Sequence, residues 1–290
     1  MDVREALSVI SKEDLEILYA LEKYSNRYEF VPLEVLEKST RLPLHVLERS
    51  LYKLNSLKII KRQSASFLGY RLTIVAYDVL AIVSLMKKGY LDKLGEKLGV
   101  GKESDVYLGI TPSGKEVAVK FHRVGRTSFR HVARHRSYKL ESSWLLQSKV
   151  SAQREFAALR ELSSVGAKVP EPIARSRHVV VTELIKGAVE LSEKPPLKDP
   201  LKAFQDVIET IDKAYNEVGI VHGDLSEYNV IVNPETSEAY VIDWPQYVER
   251  DHPRAKELLR RDVDYVVKFF RKTYSIPVET EEVYEAIVKR

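Results

Sequence analysis

VHGDLSEYNVIV, residues 221–232, and VIDWPQ, residues 241–246, are two short apolar runs broken by polar residues. In the first, Asp224 is followed five residues later by Asn229, in the pattern H-x-D-x-x-x-x-N. In the second, Asp243 comes directly after a Val-Ile pair. Runs rich in Val and Ile read as short strands, so each polar group falls at a strand end. A carboxylate in that place is poorly explained as a device of the fold. Asp, Asn and Asp in this order suit phosphoryl transfer, which needs one group to orient the nucleophile and hard oxygen ligands for Mg2+. Asp224 fits the first task, and Asn229 and Asp243 fit the second.

Two pieces upstream suit the same chemistry. GVGKES spans residues 99–104. Gly99 and Gly101 let the backbone approach phosphate oxygens, and the exposed amides around Lys102, Glu103 and Ser104 can bind them. Ser104 stands where a kinase-type loop has its third glycine, and its hydroxyl can donate to a phosphate instead. A plain hairpin turn is the competing reading. EVAVK, residues 116–120, is an apolar strand ending in Lys120, which suits a cation held above a cleft. Glu155, on the helix SAQREFAALREL, takes the position of the ion-pair partner that fixes such a lysine against α- and β-phosphates in protein kinases. Against this stands a solvated lysine and a surface glutamate beside Gln153 and Arg154.

Outside these motifs, the pattern divides the chain. Residues 11–57 read as three short helices. The first opens at Ser11 as N-cap, the second at Pro32, and the third carries Leu44, Leu47, Leu51 and Leu54 on one face. IIKRQSASFLGYRLTI, residues 59–74, then reads as two strands around a turn. This is a winged helix-turn-helix pattern with the third helix in the recognition position. It serves equally as a nucleic-acid reader or as a packing and docking module. From residue 91 onward come short strands, one strong amphipathic helix ended by Gly166, the apolar strand HVVVTELI, and then mostly helices. The expected fold is α+β, with a two-lobed unit preceded by the winged helix. The expected boundaries are 1–84 for the winged helix, 85–92 for a linker, 93–184 for an N-lobe and 185–290 for a C-lobe.

Composition agrees with this and excludes several classes. The chain has 290 residues, 44% of them hydrophobic, which is long for one core and suits more than one domain. It has no cysteine, so disulfides, thiolate metal sites and cysteine nucleophiles are out. No run of about 18 apolar residues exists, so no transmembrane helix and no membrane partner is expected. The charged, periodic N-terminus is unlike a signal peptide, and a cytoplasmic protein is expected. Net charge is only +4, so its placement matters more than its size. Residues 122–140 hold Arg123, Arg126, Arg130, Arg134, Arg136 and Lys139 with no acid, and interleave His122, His131, His135, Phe129 and Tyr138. A one-signed basic stretch with aromatics suits RNA phosphates and stacking, against a merely solvated or ATP-closing loop.

The winged helix, GVGKESDVYLG, VAVKFHRVGRTSFR, HGDLSEYNVIV and VIDWPQ together resemble the RIO family of atypical protein kinases, in its second subfamily, over nearly the whole length. The resemblance implies a trimmed kinase domain that binds ATP with Mg2+ or Mn2+. It implies action in small ribosomal subunit maturation, with the precursor's RNA and protein met through the winged helix and residues 122–140. It implies adenine recognition by the Glu183 carbonyl and Ile185 amide, with Val119 and Ile242 as apolar contacts on the ring. It also implies that Asp243 can itself accept a phosphoryl group. Departures from ordinary protein kinases bear on control and substrate. Gly223 replaces the arginine of H-R-D, so phosphorylation of an activation loop is not expected to govern this chain. Asp243 is followed by Trp-Pro, and no A-P-E motif follows. The 47 residues after Asp243 leave little room for a peptide-holding subdomain, which makes ATP hydrolysis coupled to conformational change an expected activity. Two rivals remain: an aminoglycoside- or choline-type phosphotransferase, which shares HGD…N but lacks a winged helix, and a winged-helix nucleic-acid-binding regulator with a degenerate kinase domain.

Overall fold

A computed structural model describes residues 1–125 and 137–290. They form two compact units, Met1–Lys149 with Arg175–Val179, and Val150–Ala174 with Val180–Arg290.

In the first unit, side-chain caps set where helices begin. Asp2 accepts from Arg4 N and Glu5 accepts from Asp2 N, opening α1 (Val3–Val9). Ser11 Oγ accepts Asp14 N at 3.2 Å while Asp14 accepts Ser11 N at 2.9 Å, opening α2 (Lys12–Tyr24) at the expected residue. A side-chain cap of this kind is worth about 1 kcal/mol. After β1 (Val31–Pro32) comes α3 (Leu33–Thr40), which Arg41 ends at φ +53°. Helix α4 (Leu44–Ser56) follows, and its Lys53 reaches Asp14 of α2 at 2.5 Å. Strands β2 (Ile60–Gln63) and β3 (Gly69–Leu72) form the hairpin, in a sheet of order β1-β3-β2. Helices α3 and α4 with this hairpin are the expected winged helix-turn-helix. Ile17, Leu18, Leu21, Leu36, Leu47, Leu51 and Leu54 make its core. Leu44 does not join them: it is 53% exposed at the first turn of α4, so the buried stripe starts at Leu47. Helices α1 and α5 (Ile74–Lys87) escaped the periodicity reading. In α5, Ala76, Val79, Leu80, Ala81, Ile82 and Leu85 are all buried, because α1 and α2 both pack on it. A helix covered on more than one side has no single apolar stripe to find.

This unit also holds a β-meander of β4 (Lys93–Val100), β5 (Ser104–Ile110) and β6 (Glu116–His122). The β5–β6 ladder runs unbroken from Ser104↔His122 to Ile110↔Glu116, whereas β4 slips register between Leu94 and Gly99. Strand alternation puts Tyr107, Val117, Val119 and Phe121 on the buried face and Val106, Leu108, Ala118 and Lys120 on the other. A Cβ on Gly109 would lie 2.6–2.8 Å from Val119, Leu91 and Val117, so this glycine serves packing.

Helix α6 (Ser137–Ser164) leads into the second unit. It ends before Gly166 at φ +69°, as expected, but begins well ahead of residue 151. Strands β7 (Pro172–Ser176), β8 (Val179–Glu183) and β9 (Val189–Glu190) follow. Helix α7 (Pro200–Lys213) starts with proline in its first turn and Asp199 capping Lys202 N at 3.1 Å. It passes into a π-turn, Ala214–Val218, and stops at Gly219 with φ +81°. Short strands β10 (Ile220–Val221), β11 (Val230–Val232), β12 (Ala239–Val241) and β13 (Val248–Glu249) come next, then α8 (Ala255–Tyr274) and α9 (Thr280–Val288). β10 pairs with β13, and β11 lies between β12 and β9. Asp206 accepts Ala239 N at 3.0 Å and so ties α7 to β12. Leu258, Leu259, Val263, Val266 and Phe270 of α8 pack with Phe204, Val207 and Ile211 of α7, with Phe204 and Phe270 edge to face at 5.4 Å.

Candidate active site

The β11–β12 hairpin brings the two metal candidates to one end. Val230 pairs with Val241, so Asn229 just precedes the ladder where Asp243 just leaves it. Ile242 N extends the ladder by donating to Asn229 O at 2.9 Å. Asp243 then turns out of the strand at φ +67°. A non-glycine residue held there costs on the order of 1 kcal/mol or more and persists only where its surroundings fix it. Trp244 supplies part of that fixing: it is fully buried, and its Nε1 donates to Val241 O at 3.2 Å.

Asp224 is presented by the loop between β10 and β11. Asn229 Nδ2 donates to the Asp224 carbonyl at 2.7 Å, which ties the loop across its ends and leaves Asn229 Oδ1 as the side-chain atom that can ligate a metal. The Asp224 N–H donates to His222 Nδ1 at 3.3 Å. His222 Nδ1 is therefore unprotonated, and Nε2 carries the hydrogen that it donates to Ile242 O at 3.0 Å. The ring packs 4.6 Å from that of Trp244. Thus one buried histidine joins the Asp224 loop to the Asp243 strand. From α8, Asp262 accepts Gly223 N at 2.7 Å and Leu225 N at 3.2 Å, the N–H groups of the residues on either side of Asp224. Arg261 donates to Gly223 O. Burial holds the Asp262 carboxyl above the usual carboxylate range, opposed by the two N–H donors and by Arg261. Gly223 sits at φ +77°, where an L side chain is strained. Sequence reasoning missed Asp262 and the linking role of His222. A signal for Asp262 existed: an acid at position 262 falls on the apolar face that Leu258 and Val266 define.

Glu155, also in this unit, is only 3% exposed, so it is a buried acid and not the surface residue that was the alternative. Its neighbour Arg154 donates Nε to Pro245 O at 2.9 Å and a terminal nitrogen to Tyr247 O, with its guanidinium 4.1 Å from the Tyr247 ring centre. Glu183 ends β8, its N–H bound to Glu171 O at 2.8 Å, and its carbonyl accepts the Thr182 hydroxyl at 3.3 Å. Ile185 starts the turn that Ala188 N closes, and Ile242 is half-buried at the end of β12.

In the first unit, Gly99 to Ser104 form the β4–β5 turn, with Gly101 N bound to Ser104 O at 2.9 Å and Lys102 and Glu103 exposed at its tip. Ser104 Oγ lies 3.2 Å from where a Gly101 Cβ would stand. Lys120 is half-buried on the face of β6 that also carries Ala118 and, across the ladder, Val106. Val119 does not share it: strand alternation turns Val119 into the core beside Val117 and Phe121. The basic segment also loses its first members. His122 is buried, and Arg123 binds Asp78 through two bonds of 2.7 Å, Asp105 at 3.2 Å and His178 at 3.2 Å. Burial works to raise Asp78, but Arg123 and His178 outweigh it and leave its carboxyl below the usual range. Burial lowers His178 despite Asp78. Arg126, Arg130, Arg134, Arg136, His131, His135 and Phe129 lie outside the described residues.

Among the described residues, no three His, Asp or Glu side chains cluster to hold a metal by themselves. An amide oxygen and a carboxylate are a hard-oxygen pair. Such a pair suits Mg2+, which takes one or two protein ligands and completes its shell from phosphates and water.

The RIO domain model matches residues 105–283, and the Rio2 N-terminal model matches residues 7–88. The RIO-type serine/threonine-protein kinase Rio2 of Methanocaldococcus jannaschii is 39% identical over 263 residues, 88% of this chain and 95% of its own length. The serine/threonine-protein kinase rio2 of Schizosaccharomyces pombe is 37% identical, over 93% of this chain and 79% of its own. A crystal structure of the Rio2 kinase of Chaetomium thermophilum, as an ADP/Mg2+-phosphoaspartate complex, superposes with a TM-score of 0.83 at 31% identity, covering 99% of this chain and 89% of that one.

Proposed function

The chain belongs to the RIO family of atypical serine/threonine protein kinases, and from that premise we propose that Asp224, Asn229 and Asp243 carry its phosphoryl transfer. Its fold is a winged helix-turn-helix followed by a trimmed protein-kinase-like unit, and its activity depends on ATP and Mg2+. The observation that carries the assignment is the linkage of the three residues through β11, β12 and His222. Mg2+, when bound, neutralises charge on the phosphate oxygens. Asn229 and Asp243 offer it their oxygens. Asp224 orients the attacking group and takes up its proton. Its position is fixed by backbone: the N–H groups of Gly223 and Leu225 are held by Asp262, and its own carbonyl by Asn229.

Asp243 is also our proposed acceptor. A carboxylate oxygen of Asp243 attacks the γ-phosphorus, the bond to the bridging oxygen breaks, and ADP leaves with that electron pair. Water, giving its proton to Asp224, then attacks the phosphorus, the P–O bond to Asp243 breaks, and inorganic phosphate leaves with the carboxylate restored, which splits one difficult step into two. The phosphoaspartate in the Chaetomium thermophilum kinase supports this reading.

Lys120 and Glu155 keep the roles that their order in the sequence gives them, the cation for the α- and β-phosphates and its carboxylate partner. Gly99, Gly101, Lys102, Glu103 and Ser104 cover the phosphates, and the backbone of Glu183 and Ile185 reads the adenine. Val106 and Ala118 replace Val119 as apolar contacts on the ring, with Ile242, because they share a strand face with Lys120. The proposed partner is the small ribosomal subunit precursor. Exposed His45, Arg49 and Tyr52 on α4, Lys61, Arg62 and Phe67 on the wing, and the arginines of 126–136 support contact with RNA. No helix among the described residues is long and apolar enough to cross a membrane, and a ribosomal partner places the proposed site of action in the cytoplasm.

Metal-dependent ATP turnover tests the assignment. Asp224→Asn abolishes turnover while Mg2+–ATP still binds, and Lys120→Ala weakens both without unfolding the chain. Wild-type turnover by either variant would overturn the role of the residue replaced.

A further inference from the structure

Asp243 stands in the left-handed region, sparsely populated by residues other than glycine, and its neighbours on both sides hold the chain there. On its N-terminal side the ladder does this, through Ile242 N and Asn229 O. On its C-terminal side, Trp244 is anchored by burial, and residues 244–247 close a turn with Tyr247 N on Trp244 O at 3.3 Å. Two carbonyls of that turn accept from a single side chain. Arg154 of α6 takes Pro245 O through Nε and Tyr247 O through a terminal nitrogen, and lies over the Tyr247 ring. A guanidinium presents these donors in one rigid plane, and an ammonium cannot reproduce the fork. The next residue of the same helix is buried Glu155. Beyond Tyr247 the chain enters β13, whose partner β10 leads directly into His222 and Gly223. The Arg154 clamp therefore sits where the Glu155 helix, the Asp243 segment and the Asp224 loop converge.

We propose that Arg154 is a positioning residue that fixes Asp243 in its metal-binding conformation, a constitutive side-chain clamp in place of a phosphorylation-dependent one. In kinases governed by loop phosphorylation, a new phosphate–arginine pair orders the segment after the metal-binding aspartate. Here Gly223 occupies the place of the arginine beside the catalytic aspartate, and Arg154 reaches the segment from the helix, with backbone carbonyls in the role of the phosphate. The inference rests on Asp243 as metal ligand.

The test is the Mg2+ dependence of ATP turnover in the full-length chain, with thermal melting alongside. Displacement of a ligand by about 1 Å costs roughly a hundredfold in rate, and Arg154→Ala is expected to lose kcat on that scale. Half-saturating Mg2+ rises severalfold, while affinity for metal-free nucleotide stays at the wild-type value. Arg154→Lys, which keeps charge and stem but not the fork, falls between, with an unchanged melting temperature. Arg160→Ala, at an exposed position of the same helix, behaves as wild type. Wild-type kcat and Mg2+ dependence in folded Arg154→Lys would overturn the proposal. So would activity losses in Arg154→Ala that merely follow its melting temperature. Asp243→Asn, assayed in parallel, separates the two levels: full turnover there would remove the metal-ligand reading itself, whatever the arginine variants do.

Discussion

Replacing Asp262 by Asn changes one oxygen to an amide at the point where α8 grips the Asp224 loop. The carboxylate accepts two backbone N–H groups, at 2.7 Å and 3.2 Å, and is 1% exposed. Asparagine can accept only one of them, and its own NH2 then faces the other. Losing one charged hydrogen bond costs about 1.5–3 kcal/mol, and the orphaned N–H adds about 1–3 kcal/mol. An offset exists. Burial already raises the Asp262 carboxyl, so a neutral side chain is easier to bury. A net loss of about 2–3 kcal/mol in urea unfolding is expected after that offset. The functional cost is larger. Gly223 and Leu225 bracket Asp224, and a shift of its carboxylate by about 1 Å is worth roughly a hundredfold in rate. Because Asp224 orients the attacking group, kcat falls while KM for ATP stays nearly fixed. Steady-state turnover and denaturation on the same preparation separate these effects. A folded Asp262→Asn protein with wild-type kcat, or one whose whole defect lies in KM, would refute the reasoning.

Acid stability provides a second prediction, since Asp78 and His178 are both lowered by their surroundings. Each then stabilises the fold above its unfolded value, about 3.9 for Asp and about 6.5 for His, and that stability is lost as pH falls through the lowered folded value. Urea midpoints should drop as pH falls below about 6.5, and His178→Asn should flatten the first part of that decline; an unchanged profile would remove His178 from it. Asp78→Asn breaks a buried ion pair and should cost about 3–5 kcal/mol at pH 7; a loss below about 1 kcal/mol would show that Arg123 finds other partners. For RNA, replacing Arg126, Arg130, Arg134 and Arg136 by Ala should weaken binding to small-subunit ribosomal RNA and reduce the log–log salt slope by roughly three. Unchanged affinity and slope would sink that role, whereas Arg123→Ala should act on stability instead.

Local chemistry explains which parts of this molecule are legible in its sequence. Ser11, Pro32, Gly166 and Gly219 mark helix ends through capping or backbone conformation, and those signals survive in any context. H-x-D-x-x-x-x-N and the aspartate after Val-Ile are legible because strand ends place polar groups by short-range geometry. What depends on packing is not. Helix α5 is apolar on most sides because α1 and α2 cover it, so it shows no stripe. Leu44 fits the leucine spacing of α4, yet the first turn leaves it exposed. Arg123 is chemically like its basic neighbours, and only the positions of Asp78, Asp105 and His178 make it a buried partner. Val119 and Lys120 are adjacent in sequence and therefore opposite in space, a consequence of the two-residue strand repeat. Arg154 shows no signal at all in one sequence, since its acceptors are backbone carbonyls about ninety residues away.

The central claim is that Asp243 both binds metal and receives the phosphoryl group. Acid-quenched enzyme after incubation with γ-labelled ATP and Mg2+, split into samples with and without hydroxylamine, tests it most directly. The account predicts acid-stable label that hydroxylamine removes, absent from Asp243→Asn. Label found only on serine, insensitive to hydroxylamine at every time point, would contradict it and leave Asp243 as a metal ligand alone.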